Sequence, residues 1–393
     1  MAGRKPKAQA DGKPVQYTTI KVRLYPTPTQ EELFEKTFGC CRYIWNQMLA
    51  DQQRFYLETD AHFIPTPAKY KPKAEFLKEV DNQALIQEHN KLSQAFRVFF
   101  KHPETFGHPQ FKRKKDDKDS FTACNQVLGS SATVYTTRDS IRMTKAGLVK
   151  AKFSRRPRNG WKLKRITVSK AHSGKYFCSI LYECPAKTPT EITPTPEKTI
   201  GLQYSLPHFY VTDAGTMADP PHWLKGTQEK LAKMQQKLSR MQPGSKNHEE
   251  ALQKYRLLHE HIANQRRDFI HKESRRIANE WDAVCVRSTD LVAASQGLTL
   301  GNVLASGFGM FRTCLQYKLE RQGKPFILVD RYAPTTRTCS TCGFVREPVD
   351  LQESTWTCPS CGTLHRREVN AAKNIKAQGL TQYFSTQPGR KSA

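Results

Sequence analysis

The stretch RTCSTCGFVREPVDLQESTWTCPSCGTLHRREVNAAKNI, residues 337–375, contains two CxxC pairs followed by a helix-forming run. Fifteen residues separate Cys342 from Cys358, which allows two cysteine knuckles to present four thiolates to one tetrahedral ion. The sequence therefore predicts a structural Zn²⁺ site made of Cys339, Cys342, Cys358 and Cys361. A redox pair or a chance spacing is the alternative interpretation, and the correct spacing of both knuckles favours zinc.

The chain carries a large excess of positive charge. Its 63 Lys and Arg residues against 36 Asp and Glu give a net charge of +27 over 393 residues, far more than solubility requires. This charge predicts a polyanionic partner. Nucleic acid is favoured over an anionic membrane because no apolar run approaches the length of a spanning helix. The N-terminus lacks the apolar core of a signal peptide. We therefore expect no membrane partner and a cytoplasmic, nucleoid-associated protein, or a nuclear one if its source has a nucleus.

The first half of the chain predicts a basic β-unit built around a helical insertion. QYTTIKVRLYP alternates as a strand with Lys21 and Arg23 on one face, and Thr29 with Glu32 forms a capping box for the helix that follows. In the segment FGHPQFKRKK, aromatic residues interleave with cations, which favours phosphate contact over a solvated charge run. Short strands follow, and the last two form a hairpin with Gly174 in the turn.

The second half predicts an α/β sheet of the ribonuclease H type. A proline- and threonine-rich linker precedes two strands, and residues 225–280 read as a helical hairpin broken at PGSKN. The buried strand AVCV, a looser segment at 291–309, a helix from Met310 and the strand PFILVDRY follow. Strands that alternate with helices in this way are typical of α/β domains.

Several motifs together resemble one family. LVDRYAPTTRTCSTCG, TWTCPSCGTLH and VNAAKNI at the C-terminal end resemble the TnpB family of transposon-encoded, RNA-guided nucleases, the ancestors of type V CRISPR effectors. KVRLYPTPTQEELFEKTFGCCRYIWNQML, GHPQFKRKK and TVSKAHSGKYFCSILYE extend this resemblance over nearly the whole chain. It implies guide-RNA binding, recognition of a short DNA motif beside the target, pairing of the guide with one DNA strand, and cutting by a RuvC site.

The resemblance also implies an α+β multidomain fold. A β-barrel-like wedge domain with an inserted helical recognition lobe is expected first, and then a RuvC domain, ribonuclease H-like, with an inserted four-cysteine zinc finger. The expected ranges are a disordered basic arm at 1–15, the wedge domain at 16–30 and 118–185, the recognition lobe at 31–117, a linker at 186–198, the RuvC-like domain at 199–335 and 365–380, the zinc finger at 336–364 and a flexible tail at 381–393.

The catalytic positions depart from the family pattern that the resemblance implies. RuvC-type cleavage needs carboxylates that hold two divalent ions. The family's I-G-[IV]-D-x-G is IGLQYS here, with Gln203 in place of the aspartate and Ser205 in place of the glycine. The glutamate that ends a buried strand in the family is Arg287 here. Glu368 takes the third carboxylate position in RRE, where Arg366 replaces the first aspartate of D-R-D.

Two alternatives to the loss of the metal site are open. Either the second motif aligns differently with the family pattern, or other carboxylates form a rebuilt metal site. Shifting the second motif by two residues aligns Asp290 with an aspartate of the family but puts Thr289 at the glutamate position. A rebuilt metal site would use Asp290 and Glu368 with Asp213 or Asp330, although we expect the last two to cap turns or to pair with basic neighbours. Arg287 either binds a phosphate at the position of the metal site that the resemblance implies, or belongs to a polar cluster that only fills that site.

We therefore expect a nuclease-inactive, RNA-guided DNA-binding protein, similar to TnpB-like repressors, that forms an R-loop and regulates transcription by occupancy. Its expected partners are a guide RNA, double-stranded target DNA with an adjacent motif and, through competition, the transcription machinery; Mg²⁺ is not expected to bind productively. An active endonuclease, a decaying transposon remnant and a generic zinc-ribbon protein are the alternatives. The candidate nucleic-acid contacts are Lys21, Arg23, Arg42, Lys112, Arg113, Lys114, Lys115, Arg155, Arg156, Lys164, Arg165 and Lys170.

Overall fold

The chain divides into two compact units, residues 1–187 and 188–393, and the boundary falls within the predicted linker. The structure, a computed structural model, describes residues 14–116, 119–128, 131–186, 189–205, 208–218, 223–288, 301–347 and 353–386. Most of the predicted basic arm lies outside these residues. Val15, which was assigned to the arm, is instead the first residue of a strand.

The first unit is built on an antiparallel half-barrel sheet of seven strands. The strands of this unit are β1 (Val15–Tyr25), β2 (Ser120–Cys124), β3 (Val127–Leu128), β4 (Ser131–Ala132), β5 (Tyr135–Thr136), β6 (Ser140–Met143), β7 (Gly147–Lys152), β8 (Lys162–Lys170) and β9 (Tyr176–Pro185). The order in the sheet is β2-β8-β9-β1-β7-β6-β5, and β3 pairs with β4 separately. The predicted hairpin is confirmed, since β8 pairs with β9 and Gly174 takes a φ of 80° in the turn.

Two long helices lie between β1 and β2 in the chain. They are α1 (Pro28–Thr59) and α2 (Asn82–Lys101), with short 3₁₀ turns at Pro67–Tyr70, Glu75–Lys78 and Lys114–Asp116. The capping box of α1 is formed by Thr27 and Gln30, so the prediction of Thr29 and Glu32 was wrong by two residues. Pro28 explains the earlier start, because its fixed φ suits the first helical position and it has no N–H to leave unpaired there.

The two ends of α1 pack against different partners. The ring of Phe34 on α1 lies 5.7 Å from both Phe121 and Tyr176, so the start of α1 covers the inner face of the sheet. Further along, α1 packs against α2 through a separate buried cluster that includes Met48 and Leu85. This explains why the apolar stripe of α1 is long.

The second unit contains a mixed sheet of five strands. The strands of this unit are β10 (Thr199–Tyr204), β11 (Tyr210–Thr212), β12 (Met217–Ala218), β13 (Ala283–Arg287), β14 (Phe326–Val329), β15 (Thr355–Thr357) and β16 (Leu364–Arg366). The sheet order is β12-β11-β10-β13-β14, and β15 pairs with β16 separately. β10, β13 and β14 are parallel, so their carboxyl ends meet at one edge of the sheet.

The helices of the second unit are α3 (Trp223–Ser239), α4 (Lys246–Glu280), α5 (Gly301–Glu320) and α6 (Arg367–Ser385). α3 and α4 form the predicted helical hairpin. α5 begins at Gly301, well before the predicted start at Met310, and Phe308 and Phe311 continue the buried stripe of Leu315 and Leu319 through a glycine-rich sequence. α6 extends through Ser385, so residues 381–385 are helical and the predicted tail begins too early.

The part of the predicted linker that the structure describes is packed. The N–H of Ile192 donates to the carbonyl of Gly323 at 2.8 Å. Gly323 has a φ of 72°, and a Cβ there would lie 2.0 Å from the carbonyl oxygen of Thr190, so only glycine fits this contact. Within the described ranges, no helix is long and apolar enough to cross a membrane.

Candidate functional site

The four predicted zinc ligands lie together. The Sγ atoms of Cys339, Cys342, Cys358 and Cys361 are all within 4.8 Å of one another. Cys339 is 3.7 Å from Cys361, and Cys342 is 3.6 Å from Cys358. A tetrahedron with Zn–S bonds of about 2.3 Å has sulfur–sulfur edges of about 3.8 Å. The cluster therefore has the donor type, the number of ligands and the spacing that a structural zinc ion needs.

Both cysteine knuckles use the same turn. The N–H of Gly343 donates to the carbonyl of Cys339, and the N–H of Gly362 donates to that of Cys358, each at 2.9 Å. The two glycines have φ angles of 80° and 71°, a backbone region that side chains disfavour. Hydrogen bonds with Thr363 lower the pKa of Cys361 to about 6, which favours the thiolate that binds metal.

A histidine side chain also contacts the cysteine cluster. Nε2 of His365 lies 3.0 Å from Sγ of Cys339.

The first turns of α6 hold the backbone of the first knuckle. The side chain of Asn370 accepts a hydrogen bond from the N–H of Ser340 at 2.9 Å and donates to the carbonyl of Thr338 at 2.7 Å. Asn374 donates to the carbonyls of Thr335 and Thr338 at 2.8 and 2.6 Å. The i, i+4 spacing of the two asparagines places both on one helix face. Sequence reasoning noted them only as part of a motif and missed this role.

The elements that carry Gln203, Arg287 and Glu368 pack together. Gln203 and Arg287 directly follow Leu202 and Val286, which pair across the parallel strands β10 and β13. Glu368 lies in the first turn of α6, which crosses β10 so closely that a Cβ on Gly201 would lie 2.2 Å from the carbonyl oxygen of Ala372. Among the described residues, no hydrogen bond or ion pair joins these three side chains to one another.

The side chains of Gln203 and Arg287 are bound to backbone carbonyls. Nε2 of Gln203 donates to the carbonyl of Tyr204 at 2.8 Å, while its buried Oε1 has no hydrogen-bond partner among the residues that the structure describes. Nε of Arg287 donates to the carbonyl of Arg331 at 3.2 Å. Burial lowers the pKa of Arg287 and the nearby Asp330 opposes that shift, but a guanidinium remains charged at neutral pH. A permanent cation therefore stands at the carboxyl end of β13.

Two of the carboxylates considered for a rebuilt metal site, Asp213 and Asp330, have other partners. Asp213 accepts a hydrogen bond from the N–H of Gly201 at 3.1 Å and forms an ion pair with Lys376 at 2.9 Å. Asp330 accepts from the N–H of Tyr332 at 3.2 Å. The expectation that these two aspartates pair with a basic neighbour and cap a turn is confirmed. Asp290 and Thr289 lie outside the described residues.

A basic and aromatic surface covers the outer face of the seven-stranded sheet. Nζ of Lys21 lies 4.5 Å from the ring centre of Phe177, and the guanidinium of Arg23 lies between the rings of Phe177 and Tyr25, at 5.6 and 5.3 Å. Lys150 and Lys152 on β7 pair with Tyr25 and Arg23 and extend this face. Sequence reasoning missed both lysines, although the alternation in GLVKAK was the available signal.

Among the described residues, ion pairs within the first unit engage at least four of the predicted nucleic-acid contacts. These pairs are Arg42 with Asp119 at 2.7 Å, Lys112 with Glu88 at 2.6 Å, Lys164 with Glu183 at 3.2 Å and Lys170 with Glu35 at 2.8 Å. Lys112 also lies 3.9 Å from the ring centre of Trp45. Glu88 is fully buried and is paired with both Lys112 and Lys91, so Lys112 helps to balance a buried charge and is a weaker candidate for phosphate contact.

The other candidates lie at exposed positions or stack on side chains. Arg113, Lys114, Lys115 and Arg165 are exposed. Arg155 lies over Trp161, with its guanidinium carbon 5.8 Å from the ring centre. Nη2 of Arg156 donates to the carbonyl of Arg138 at 2.6 Å.

Three family models match parts of the chain. The "Cas12f1-like, TNB domain" model matches residues 308–375, which include the cysteine cluster. The "Helix-turn-helix domain" model found in the IS605 OrfB proteins matches 16–60, and the "Probable transposase" model of the same proteins matches 179–294.

Two curated relatives match over most of their length. The chain is 30% identical over 382 residues to a "Putative RNA-guided DNA endonuclease" of Streptomyces pristinaespiralis, covering 92% of this chain and 89% of the relative. It is 27% identical to the "Putative RNA-guided DNA endonuclease InsQ" of Escherichia coli K12, covering 92% of each protein.

The fold is Cas12f-like. The solved Cas12f1–sgRNA–target DNA complex matches with a TM-score of 0.58 over 93% of this chain and 99% of that chain, at 11% sequence identity, a level that shows the shared fold alone. Together with the identity to the Streptomyces relative over nearly the full length, this confirms the resemblance. The chain belongs to the TnpB family, also known as IS605 OrfB.

Proposed function

We propose that this protein binds DNA under the direction of a guide RNA and does not cut it. The observation that carries this proposal is the guanidinium of Arg287 at the carboxyl end of β13, beside the β10 strand that bears Gln203. In this proposal the first unit comprises the wedge domain and recognition lobe, and the second comprises the RuvC-like domain with its zinc finger.

The charges at this edge of the sheet oppose a two-metal site. Two divalent ions close together need several shared anionic oxygens. The neutral amide of Gln203 and the guanidinium of Arg287 supply none. The negative charge of the Asp213 carboxylate is balanced by Lys376, whose Nζ lies 2.9 Å from Oδ2 of Asp213. Glu368 would then face an edge of the sheet where the guanidinium of Arg287 repels divalent cations.

Binding does not need the lost carboxylates. A guide–target heteroduplex is held through its backbone in a positively charged channel. The outer face of the seven-stranded sheet offers Lys21, Arg23, Lys150 and Lys152 beside the rings of Tyr25 and Phe177. Occupancy of a promoter by such a complex would repress transcription by excluding the polymerase.

RNA-guided cleavage is the second candidate function. It is favoured by the names of the Streptomyces and Escherichia coli relatives, both of which are called RNA-guided DNA endonucleases. In that case Glu368 and Asp290 would supply the metal ligands.

One experiment in two stages distinguishes these functions. RNA that copurifies with the full-length protein is sequenced first, and one structured species with a variable end is expected; a heterogeneous background would contradict guide use. The loaded complex is then incubated with a matched plasmid and Mg²⁺ or Mn²⁺, and we expect a gel shift with no strand break.

The control is the charge-reversed variant Lys21→Glu/Arg23→Glu, which should lose the shift while retaining its zinc. A guide-directed break in the plasmid would overturn the proposal and establish the endonuclease. A loss of reporter expression at a guide-matched promoter would support repression by occupancy.

A further inference from the structure

We propose that Arg331 and Tyr332 form a stacking surface for an unpaired nucleic-acid strand, and that Arg287 holds this surface in place. Arg287 is thus a positioning residue rather than a direct phosphate ligand. The inference rests on the proposed function, because a guide that opens a duplex is what would make an unpaired strand available.

Tyr332 is presented on a tight turn directly after β14. Its N–H donates to Oδ1 of Asp330 at 3.2 Å, and the N–H of Ala333 donates to the carbonyl of Asp330 at 3.3 Å. These two bonds define the backbone around a side chain that is 75% exposed. An aromatic ring so exposed gains little from the core, whereas it offers a flat surface to a partner.

Arg331 is stacked on the same ring. Its guanidinium carbon lies 4.6 Å from the ring centre of Tyr332, and its Nη2 donates to the tyrosine hydroxyl at 2.6 Å. A ring with a cation beside it is the combination that binds unpaired bases, since the ring stacks on the base and the cation attracts the phosphate.

Arg287 connects this turn to the neighbouring strand. Nε of Arg287 donates to the carbonyl of Arg331 at 3.2 Å, and Nη2 donates to the same oxygen. The N–H of Ser288 donates to the carbonyl of Val329 at 2.8 Å, which continues the pairing of β13 with β14 up to the turn. The guanidinium of Arg287 is therefore already engaged by the backbone that it supports.

The location of the turn also favours a ligand. In open α/β sheets, ligands bind outside the carboxyl ends of the parallel strands. β10, β13 and β14 all end at this edge, and the Arg331–Tyr332 turn follows the last of them. The chemistry that this surface recognises is an unpaired base with its phosphate, in either a DNA or an RNA strand.

The test uses the full-length, zinc-loaded protein and two 5-iodouracil oligonucleotides, one of deoxyribose and one of ribose. We expect irradiation to crosslink the oligonucleotide to Tyr332, mapped by mass spectrometry, and the stronger of the two reactions identifies the strand type. Because base stacking is worth about 1–3 kcal/mol, Tyr332→Ala should weaken single-strand binding by about 5- to 160-fold. Tyr332→Phe should stay within about twofold because it keeps the ring.

The matched control is Tyr56→Ala. Tyr56 is also an exposed tyrosine, 49% accessible at the end of α1, and its removal should leave single-strand binding unchanged. Zinc content and the thermal unfolding midpoint are measured for each variant, so that a folding defect is recognised.

Arg287→Gln separates positioning from direct contact. If Arg287 positions the turn, the crosslink at Tyr332 falls while the slope of log Kd against log salt is unchanged. A slope that falls by about 0.7 means that Arg287 itself neutralises a phosphate, which would overturn its positioning role.

Guide-directed binding to duplex DNA is measured in the same preparations. If Tyr332→Ala binds single strands as well as the wild type while guide-directed binding persists, the stacking surface is refuted and the proposed function stands. If the wild-type protein with its copurified RNA binds no matched duplex, the proposed function itself fails.

Discussion

Replacing Gly201 with alanine tests how closely α6 must approach β10. The added Cβ would lie 2.2 Å from the carbonyl oxygen of Ala372, 2.9 Å from Cβ of Lys376 and 3.1 Å from its backbone nitrogen. Overpacking of a core costs about 1–3 kcal/mol. We expect the upper end of that range, about 3 kcal/mol, because the nearest obstacle is helix backbone and not the end of a flexible side chain.

The assay is thermal and urea unfolding of the full chain. For a unit of this size, about 3 kcal/mol corresponds to a fall of roughly 6–12 °C in the midpoint of its transition. Gly226→Ala is the matched control in the same unit, because Gly226 lies in α3 with nothing within 4 Å of the added Cβ. That control should be neutral or stabilising by up to about 1 kcal/mol, as alanine favours helices.

The result that would refute this reasoning is a Gly201→Ala variant destabilised by less than about 1 kcal/mol. The helix and strand would then separate at little cost, and the contact would not determine the position of Glu368. A large loss in Gly226→Ala would show that the assay responds to any glycine substitution.

Three further predictions concern the cysteine cluster and the core of the second unit. Cys361→Ser should reduce bound zinc well below one ion per chain, measured by release to a colorimetric chelator, because one of four thiolates is lost. Asn370→Ala should lower the free energy of unfolding by about 1–3 kcal/mol in urea titrations, since the half-buried N–H of Ser340 loses its acceptor, while the carbonyl of Thr338 keeps its hydrogen bond from Asn374. Burial alone would raise the pKa of Glu273, but hydrogen bonds from Arg276 and Tyr210 lower it below the usual 4.5. The stability that this carboxylate adds is therefore present above about pH 4.5 and lost as the pH falls further, so Glu273→Gln should be less stable at pH 7 and should show a shallower acid dependence.

Each of these predictions has its own control. Cys178→Ser changes a buried thiol outside the cluster and should leave the zinc content intact. Asn279→Ala, on the exposed side of α4, should cost far less than Asn370→Ala. Equal acid dependence of the wild type and Glu273→Gln would contradict the inferred pKa direction.

Much of the fold could be predicted because local patterns and burial agree. The hairpin at Gly174 follows from alternation and turn chemistry, and the buried strand at residues 283–286 follows from a continuous apolar run. The start of α1 was harder, because Thr27-x-x-Gln30 and Thr29-x-x-Glu32 both fit a capping box. Pro28 decides between them.

Only part of the candidate site could be predicted from the sequence. The zinc ligands are close in the chain, so their spacing carries the information. The ion pairs of Arg42 and Lys112 join residues far apart in sequence, and only the tertiary fold shows that these cations are engaged. The Arg331–Tyr332 turn was missed for a similar reason, since VDRY by itself indicates only the end of a strand.

The contacts of α6 have a consequence for how this protein tolerates sequence change. The helix is anchored by its backbone at Gly201 and by Asn370 and Asn374, none of which depends on the chemistry of residue 368. Position 368 can therefore mutate while its supporting architecture persists. Within such a lineage, activity at this edge of the sheet and integrity of the scaffold can evolve independently.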